Sequence, residues 1–352
     1  MTYTLIQAWR AVLCVGVVLA HIKIYLLHDG TPSLFAHVPD LFGGIPCAFF
    51  AVSGFFMATL VDRETRNFLA LRLVRIYPMY ILAILLAYVL RSCTSIPLNY
   101  DDLPAVLSLL PFAGRKSYKL GIEWTLVFEM FYYLVCAVFC RPGLSRRFPA
   151  FLMVWLAAVL LAAALHPALT HLPTLATIWI SGWNFSFIAG ALAYYLLKHY
   201  HDPQAQAWAA YVLLASVGTF SALQPTPVAV ILMLGTLACL GLVALVLLEA
   251  KIRAPKLFTE LGDYSYALYL IHPSLIILVL NRWQEFTGDP PGLIAGLVSL
   301  VLCLCAFWYL GQLDVSLHKR LKFTLQKALR PQPSPGTADS VIQPARNAGS
   351  VS

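Results

Sequence analysis

Apolar residues in this chain are gathered into long runs, separated by connections that are richer in polar residues. A helix needs roughly 18 or more mostly apolar residues to cross the core of a bilayer, and about ten such runs can be read along the chain. They lie near residues 5–27, 41–61, 74–91, 121–140, 149–166, 174–197, 207–223, 227–249, 262–281 and 292–313. The pattern therefore predicts an all-α polytopic integral membrane protein, a bundle of about ten transmembrane helices.

The composition agrees with a chain that lies in the lipid bilayer. Hydrophobic residues make up 60% of it and charged residues 11%, whereas a typical soluble domain carries about 25% charged residues. The net charge of +8 would suggest a nucleic-acid partner in a soluble chain. Basic residues of a membrane protein collect in its cytoplasmic loops instead, so no nucleic acid is expected. The eight cysteines lack the spacing of a metal site, so no metal is expected either.

The distribution of basic residues predicts the orientation of the bundle. If the N-terminus is cytoplasmic, 18 of the 24 lysines and arginines fall on the cytoplasmic side, in agreement with the positive-inside rule. Both termini are therefore predicted to be cytoplasmic. Residues 331–352 are rich in proline, serine, glycine and alanine, which predicts a disordered cytoplasmic tail after a transmembrane domain at 1–330.

The first apolar run carries one arginine, Arg10, and one histidine, His21. They are eleven residues apart, so a helix places both on one face, with about 16 Å between them along its axis. An ionisable side chain within a span costs roughly 2.5–3.5 kcal/mol and usually faces the bundle interior or a water-filled cavity. The pair therefore indicates a functional site. Two structural alternatives stay open, a hydrogen bond from His21 to a neighbouring helix and an interfacial anchor at Arg10.

Two further segments offer groups for binding or packing. The segment NFLALRLVRIYP places Arg72 and Arg75 on one helix face, where two guanidinium groups suit bidentate capture of phosphate. The positive-inside rule alone also accounts for basic residues there. In FFAVSGFF, Ser53 and Gly54 offer a small surface for close helix packing, and packing is favoured over a binding role. Ser53 is kept as a candidate site residue.

The segment GIEWTLVFEMFYY places Glu129 well inside an apolar helix. A carboxylate at that depth needs a cation, a hydrogen-bond donor or a proton, so Glu129 is a second strong site candidate. Glu123 lies at the edge of the run and is expected to be interfacial. Trp124 suits the aromatic belt of the non-cytoplasmic face and is kept as a possible site residue.

The segment LGDYSYALYLIHP predicts a polar stripe on the ninth span. Ser265, Tyr269 and His272 are spaced by four and then three residues, so a helix brings them to one face. A tyrosine-rich helix interface with a structural histidine explains the stripe equally well. For His272 this structural interpretation is favoured over direct chemistry, and Tyr269 and His272 are kept as possible site residues.

Five motifs follow one another along the chain. In order they are R-x10-H, FFxxSGF, RxxRIYP, WTLxxEMFYY and SYxLYLIHP. Together they resemble the membrane-bound acyltransferase-3 family, and IQxxRA with WTLVFEMFYY is most similar to its exopolysaccharide-production (O-acetyltransferase) branch. The resemblance implies an acyltransferase of the bacterial cytoplasmic (inner) membrane that takes an acyl group, commonly acetyl, from acyl-coenzyme A. The implied acceptor is a hydroxyl of a cell-envelope glycan or lipid-linked sugar, and the implied partner is the machinery for polysaccharide synthesis and export.

The resemblance also implies roles for the residues that match its motifs. Arg10 and His21 match the essential arginine and histidine of the family. Arg72 and Arg75 match its cytoplasmic arginine pair, and the three arginines would hold the phosphates of coenzyme A. His21 would act as a general base on the acceptor hydroxyl, with Glu129 orienting its imidazole. A transient acyl-histidine is an open alternative.

One departure from the family and two competing functions also follow from the sequence. Where members usually read Gly-Val-(Asp/Pro)-Leu before FF, this chain reads Ile-Pro-Cys-Ala at residues 45–48. The resemblance therefore implies no role for an acidic group at Cys47. Ionisable residues at mid-membrane would also suit a proton-coupled transporter or flippase for a lipid-linked or polymeric sugar. The third interpretation is a non-catalytic subunit of a polysaccharide synthase. The acyl group, the acceptor, the face of the membrane and the oligomeric state are left open.

Overall fold

The computed structural model describes residues 3–28, 34–99, 101–111, 118–166, 174–199 and 226–329, and these form helices and connections without a strand. The α-helices are α1 (Thr4–His28), α2 (Ile45–Asp62), α3 (Phe68–Ser92), α4 (Leu103–Ser108), α5 (Glu123–Phe139), α6 (Phe148–Leu165), α7 (Asn184–His199), α8 (Pro227–Leu248), α9 (Lys256–Thr287) and α10 (Leu293–Ala328). Short 3-10 helices lie at Leu34–His37, Asp40–Gly44, Ser145–Arg147 and Ile178–Ile180. The predicted all-α architecture is confirmed for the described residues.

Seven helical segments in the described part of the chain are long and apolar enough to cross a membrane. Helices α5 and α7, of 17 and 16 residues, are shorter than these segments. The predicted run at 207–223 and the predicted tail at 331–352 lie outside the described residues. A multi-pass membrane protein is thus confirmed, while the count of about ten spans and the cytoplasmic termini stay predictions. The seven segments are Thr4–Leu27, Asp40–Asp62, Phe68–Ser92, Ser145–Leu165, Pro227–Leu248, Lys256–Thr287 and Leu293–Ala328.

One predicted run is broken in the structure. The sequence predicts a single span at 174–197, but α7 begins only at Asn184, after a 3-10 turn and an extended Ser181. The Asn184 amide donates to the carbonyl oxygens of Ile178 (2.6 Å) and Trp179 (3.1 Å). A side chain that satisfies backbone groups in this way competes with helix formation. The prediction of one continuous helix over this run is therefore wrong.

Helix α10 extends well past the predicted run at 292–313 and ends at Ala328. Its 36 residues make a helix of about 54 Å, longer than the hydrocarbon core of roughly 30 Å. Residues 314–328 contain no glycine or proline, so the helix continues after the apolar run ends. The extension brings Asp314 against α3.

The helices form two packed groups that α3 joins. Helix α1 lies against α9, and α9 against α10, around a core that includes Leu26, Leu268 and Phe307. Helix α2 lies against α5, α7 and α8, in a core rich in aromatic rings where Tyr132 stacks on Phe187 at 3.9 Å. The start of α1, the end of α2 and the start of α3 lie together. We call this the basic end of the bundle.

Glu249, directly after α8, holds the first turn of α1. Its carboxylate accepts hydrogen bonds from the backbone N–H groups of Thr4 and Leu5, both at 2.8 Å, and pairs with Arg253 at 2.8 Å. Burial raises the pKa of Glu249, but these hydrogen bonds outweigh burial and hold the pKa below its ordinary value. A carboxylate satisfies the free N–H groups of a helix N-terminus, so α1 begins at a defined position beside α8.

Two glycines let α2 and α7 approach until their backbones touch. A Cβ atom on Gly190 would overlap the carbonyl of Ala51, and a Cβ atom on Gly54 would overlap the carbonyl of Phe187. Small residues permit this close approach between membrane helices. The contact agrees with the packing role predicted for Gly54.

Replacing Gly190 by alanine is expected to lower the free energy of unfolding by about 1–3 kcal/mol, because α2 and α7 must separate to admit the methyl group. The matched control is Gly43→Ala, whose added Cβ meets no atom within 4 Å. Thermal unfolding in detergent should show a lower midpoint for Gly190→Ala and an almost unchanged one for the control. Equal midpoints for the two variants would contradict the backbone contact.

Candidate functional site

A cavity of about 600 Å³ lies among α1, α2, α3, α5 and α9, with Tyr194 of α7 at its edge. Its volume is typical of small-molecule sites. Along α2 the lining runs from Arg63 to Pro46, which is about 25 Å at roughly 1.5 Å per residue. Arg63 is exposed, so the cavity reaches the protein surface at the basic end. The space is long enough for an extended ligand.

The wall at the basic end is strongly cationic. Four arginines line the cavity: Arg10, Arg63, Arg72 and Arg75. Within the described part of the chain, Glu129 is the single carboxylate that lines it. Several guanidinium groups around one space favour a ligand with more than one negative charge. Three of these arginines are predicted site residues. The fourth, Arg63, was missed because a basic residue just after an apolar run is already explained by topology.

Arg10 is held in the cavity wall by polar neighbours. Its Nη1 donates to Oε1 of Gln7 at 2.8 Å, and its Nη2 donates to Oγ of Ser265 on α9 at 3.1 Å. Gly262, one turn before Ser265, permits this approach, because a Cβ atom there would overlap the carbonyl of Gln7. Arg10 is therefore part of the helix interface rather than an anchor at the lipid surface.

Arg75 is paired with a buried carboxylate. Its Nη1 donates to both oxygens of Asp314, at 2.9 and 2.8 Å, and its guanidinium lies 5.0 Å from the centroid of the Tyr266 ring. Asp314 is only 2% exposed. The sequence did not indicate Asp314, because it follows the predicted end of the last apolar run.

Arg72 has a different environment from Arg75. Its guanidinium lies over the rings of Phe68 and Tyr133, at 5.9 and 6.0 Å from their centroids. Its buried Nε has no hydrogen-bond partner within the described structure. Aromatic rings attract the cation without occupying its N–H groups, so Arg72 keeps donors for a ligand.

Glu129 lies beside Ser53 and not beside His21. Its Oε1 accepts a hydrogen bond from Oγ of Ser53 at 2.8 Å. Counted along their helices, Ser53 and His21 lie about 14 Å and 25 Å from the basic end. The two levels differ too much for a direct contact, so the prediction that Glu129 orients His21 is not supported by this geometry. Ser53, in contrast, lines the cavity.

The structure brings His21 into contact with His272. Nε2 of His272 is 3.3 Å from Nδ1 of His21, and the ring centroids are 4.8 Å apart at 70°. His272 is fully buried and His21 is partly exposed. The sequence favoured a purely structural His272, since spacing within one helix does not reveal a partner on another. No group of three or more potential ligands among the described residues could hold a metal ion.

Tyr269 lies between the cavity and the two histidines. It lines the cavity, whereas His21 and His272 do not. Its hydroxyl is 2.7 Å from Oγ1 of Thr125, and its ring is 5.9 Å from that of His272 and 6.1 Å from that of Phe49. The predicted path from the arginines to His21 is therefore interrupted by one layer of side chains.

Glu123, at the start of α5, differs from its predicted environment, and Trp124 follows it. Glu123 was expected to be interfacial but is fully buried. It accepts backbone hydrogen bonds from Lys119, Leu120 and Ile122, which compensate the buried carboxylate. Trp124 is partly exposed, and its ring centroid lies 5.0 Å from that of Trp183; its place in an aromatic belt stays a prediction.

Comparison with known proteins agrees with the motifs. A family model described as an acyltransferase domain matches residues 4–310. The chain is also 30% identical over 275 residues to the exopolysaccharide production protein ExoZ of Rhizobium meliloti (strain 1021), covering 71% of this chain and 82% of that protein. No solved structure matches the chain. The matched range contains the four cavity arginines, Glu129 and both histidines, and Asp314 lies just outside it.

The Asp314→Asn variant is expected to lower the free energy of unfolding by about 3 kcal/mol, because it leaves the Arg75 guanidinium in the bundle without its counter-charge. The double variant Arg75→Met with Asp314→Leu should recover most of that loss, since both charges are removed together. Denaturation in detergent measures both effects.

The control for this prediction is the pair between Lys198 and Asp62, whose side chains are 43% and 25% exposed. Replacing Lys198 by methionine should change stability by less than about 1 kcal/mol. A double variant that is less stable than Asp314→Asn would contradict the counter-charge role of Asp314.

Proposed function

Because this chain belongs to the acyltransferase-3 family, we propose that it transfers an acyl group, in the simplest case acetyl, from acyl-coenzyme A to a hydroxyl of a bacterial cell-envelope glycan. Family membership supports acyl transfer, and the similarity to ExoZ supports an exopolysaccharide as acceptor. The proposed location is the bacterial inner membrane, where such a protein would work with the machinery that makes and exports the polysaccharide.

The observation that carries the proposal is the charge distribution of the cavity. Four arginines stand at the basic end, and hydroxyl groups and aromatic rings line the rest of the wall. Coenzyme A has the same asymmetry, with phosphates at one end and the thioester at the tip of a flexible arm. The basic end, expected to be cytoplasmic, would hold the phosphates, and the arm would extend toward Tyr269. Glu129 would offset part of the guanidinium charge.

The chemistry of the proposed reaction is acyl transfer with His21 as general base. The imidazole takes the proton of the acceptor hydroxyl as the oxygen attacks the thioester carbonyl, and the proton then passes to the departing thiolate of coenzyme A. For the thioester to reach His21, the hydrogen bond between the Tyr269 hydroxyl and Thr125 has to break and the Tyr269 ring has to rotate away. His21 is partly exposed, and in this proposal the acceptor hydroxyl reaches the ring from that exposed side.

Arg72→Gln is expected to weaken binding of coenzyme A by about 10- to 100-fold, because one charge-assisted hydrogen-bonding group is lost. Arg66→Gln is the matched control. Arg66 is an exposed arginine near the same end, and it does not line the cavity. Titration calorimetry with coenzyme A on purified protein measures both affinities. Equal weakening by the two substitutions would indicate non-specific charge attraction and contradict a phosphate site at Arg72.

His21→Ala is expected to reduce acyl transfer by about 10²–10⁴-fold while coenzyme A still binds, because the base is lost and the arginines remain. The control is His37→Ala, since His37 is exposed and contacts Leu34 of its own turn. Transfer from radiolabelled acetyl-coenzyme A to extracted envelope glycan measures activity. If wild type neither transfers an acyl group nor binds coenzyme A, the function is wrong and the transporter alternative gains support.

A further inference from the structure

The two histidines make the same contact with their own helices. Nδ1 of His21 is 3.0 Å from the carbonyl oxygen of Val17, and Nδ1 of His272 is 3.1 Å from that of Leu268. A carbonyl oxygen can only accept a hydrogen bond, and a neutral imidazole carries one proton. Both contacts therefore place the proton on Nδ1 of each neutral ring and leave Nε2 with a free lone pair.

These tautomers match the contact between the rings. Nε2 of His272, which carries the lone pair, lies 3.3 Å from Nδ1 of His21, which carries the proton. The proton of His21 is thus shared between the Val17 carbonyl and His272. The opposite tautomer of either ring would turn a lone pair toward a carbonyl oxygen. The remaining nitrogen of the pair, Nε2 of His21, is left as the free base.

From this arrangement we propose that His272 is a positioning residue for His21, a role that rests on the proposed acyl transfer. It holds the ring with Nε2 unprotonated, and it takes up part of the positive charge when that atom accepts a proton. His272 is fully buried and does not line the cavity, so it acts through His21 and not on the substrate.

The proposed step balances with the two rings neutral at its start and end. The hydroxyl proton moves to Nε2 of His21 while the new C–O bond forms, and the C–S bond of the thioester then breaks. The same proton passes to the thiolate sulfur, giving free coenzyme A. During the step, the Nδ1 proton of His21 strengthens its hydrogen bond to His272, as it does to the carboxylate of a Ser-His-Asp triad.

A neutral partner suits a site within a membrane. A buried carboxylate would carry a permanent charge that is expensive in this environment, whereas His272 adds no charge to the resting site. Partners that orient a metal-ligating histidine typically contribute about 10- to 100-fold to affinity or activity, and we expect the same range for a partner that orients a general base. This range sets the effect expected for removing His272.

The test compares His272→Phe with His272→Gln. The phenylalanine fills the space but cannot accept a hydrogen bond, so kcat for acyl transfer should fall about 10- to 100-fold. KM for acyl-coenzyme A should change little, because the arginines are untouched. The glutamine can place its carbonyl oxygen near Nδ1 of His21 and should restore kcat to within several-fold of wild type.

Coenzyme A affinity and the thermal midpoint are measured for each variant as controls for folding. A wild-type kcat in His272→Phe, with His21→Ala inactive, would overturn this inference alone and leave the proposed function intact. Equal loss of activity, affinity and stability in both His272 variants would make the residue structural and also overturn it. Wild-type protein without any acyl transfer would overturn the proposed function and this inference together.

Discussion

A charge placed within a lipid bilayer has to be paired, hydrogen-bonded or in contact with water, and this requirement shapes the cavity wall. Arg75 is paired with Asp314, and Arg10 is hydrogen-bonded by Gln7 and Ser265. Arg72 rests on aromatic rings, which leaves its N–H groups available. The protein therefore holds three guanidinium groups in different ways, and the third has a buried N–H without a partner within the described structure.

The contact between α1 and α9 positions both groups of candidate site residues. The two helices run in the same direction, with Gly262 against Gln7 near the basic end and His272 against His21 further along. Between these levels, Sγ of Cys14 donates to the carbonyl of Ser265 at 3.2 Å. One helix interface thus sets the place of Arg10 and the geometry of the histidine pair. A change at the glycine would alter both.

The sequence predicts the membrane bundle and many of the side chains in the cavity because both depend on local pattern. Apolar runs identify helices, and an ionisable residue within such a run predicts a side chain that faces a cavity, as Arg10 and Glu129 do. Contacts between helices are not contained in that pattern. The contacts of Arg75 with Asp314 and of His21 with His272 join residues more than 200 positions apart, so neither contact can be read from local pattern. The break before α7 was missed because hydropathy does not register the hydrogen bonds of Asn184.

The layer formed by Tyr269 and Thr125 bears on the permeability of the membrane. The charged cavity enters the bundle from the basic end, and the partly exposed His21 lies beyond it. Without a layer between them, the two would form a continuous water-filled path. In this structure Tyr269 lies between the cavity and His272, with its hydroxyl hydrogen-bonded to Thr125. An aromatic ring at this place separates the water of the cavity from the histidine pair, so the contact that interrupts the path of a ligand also interrupts a path for protons.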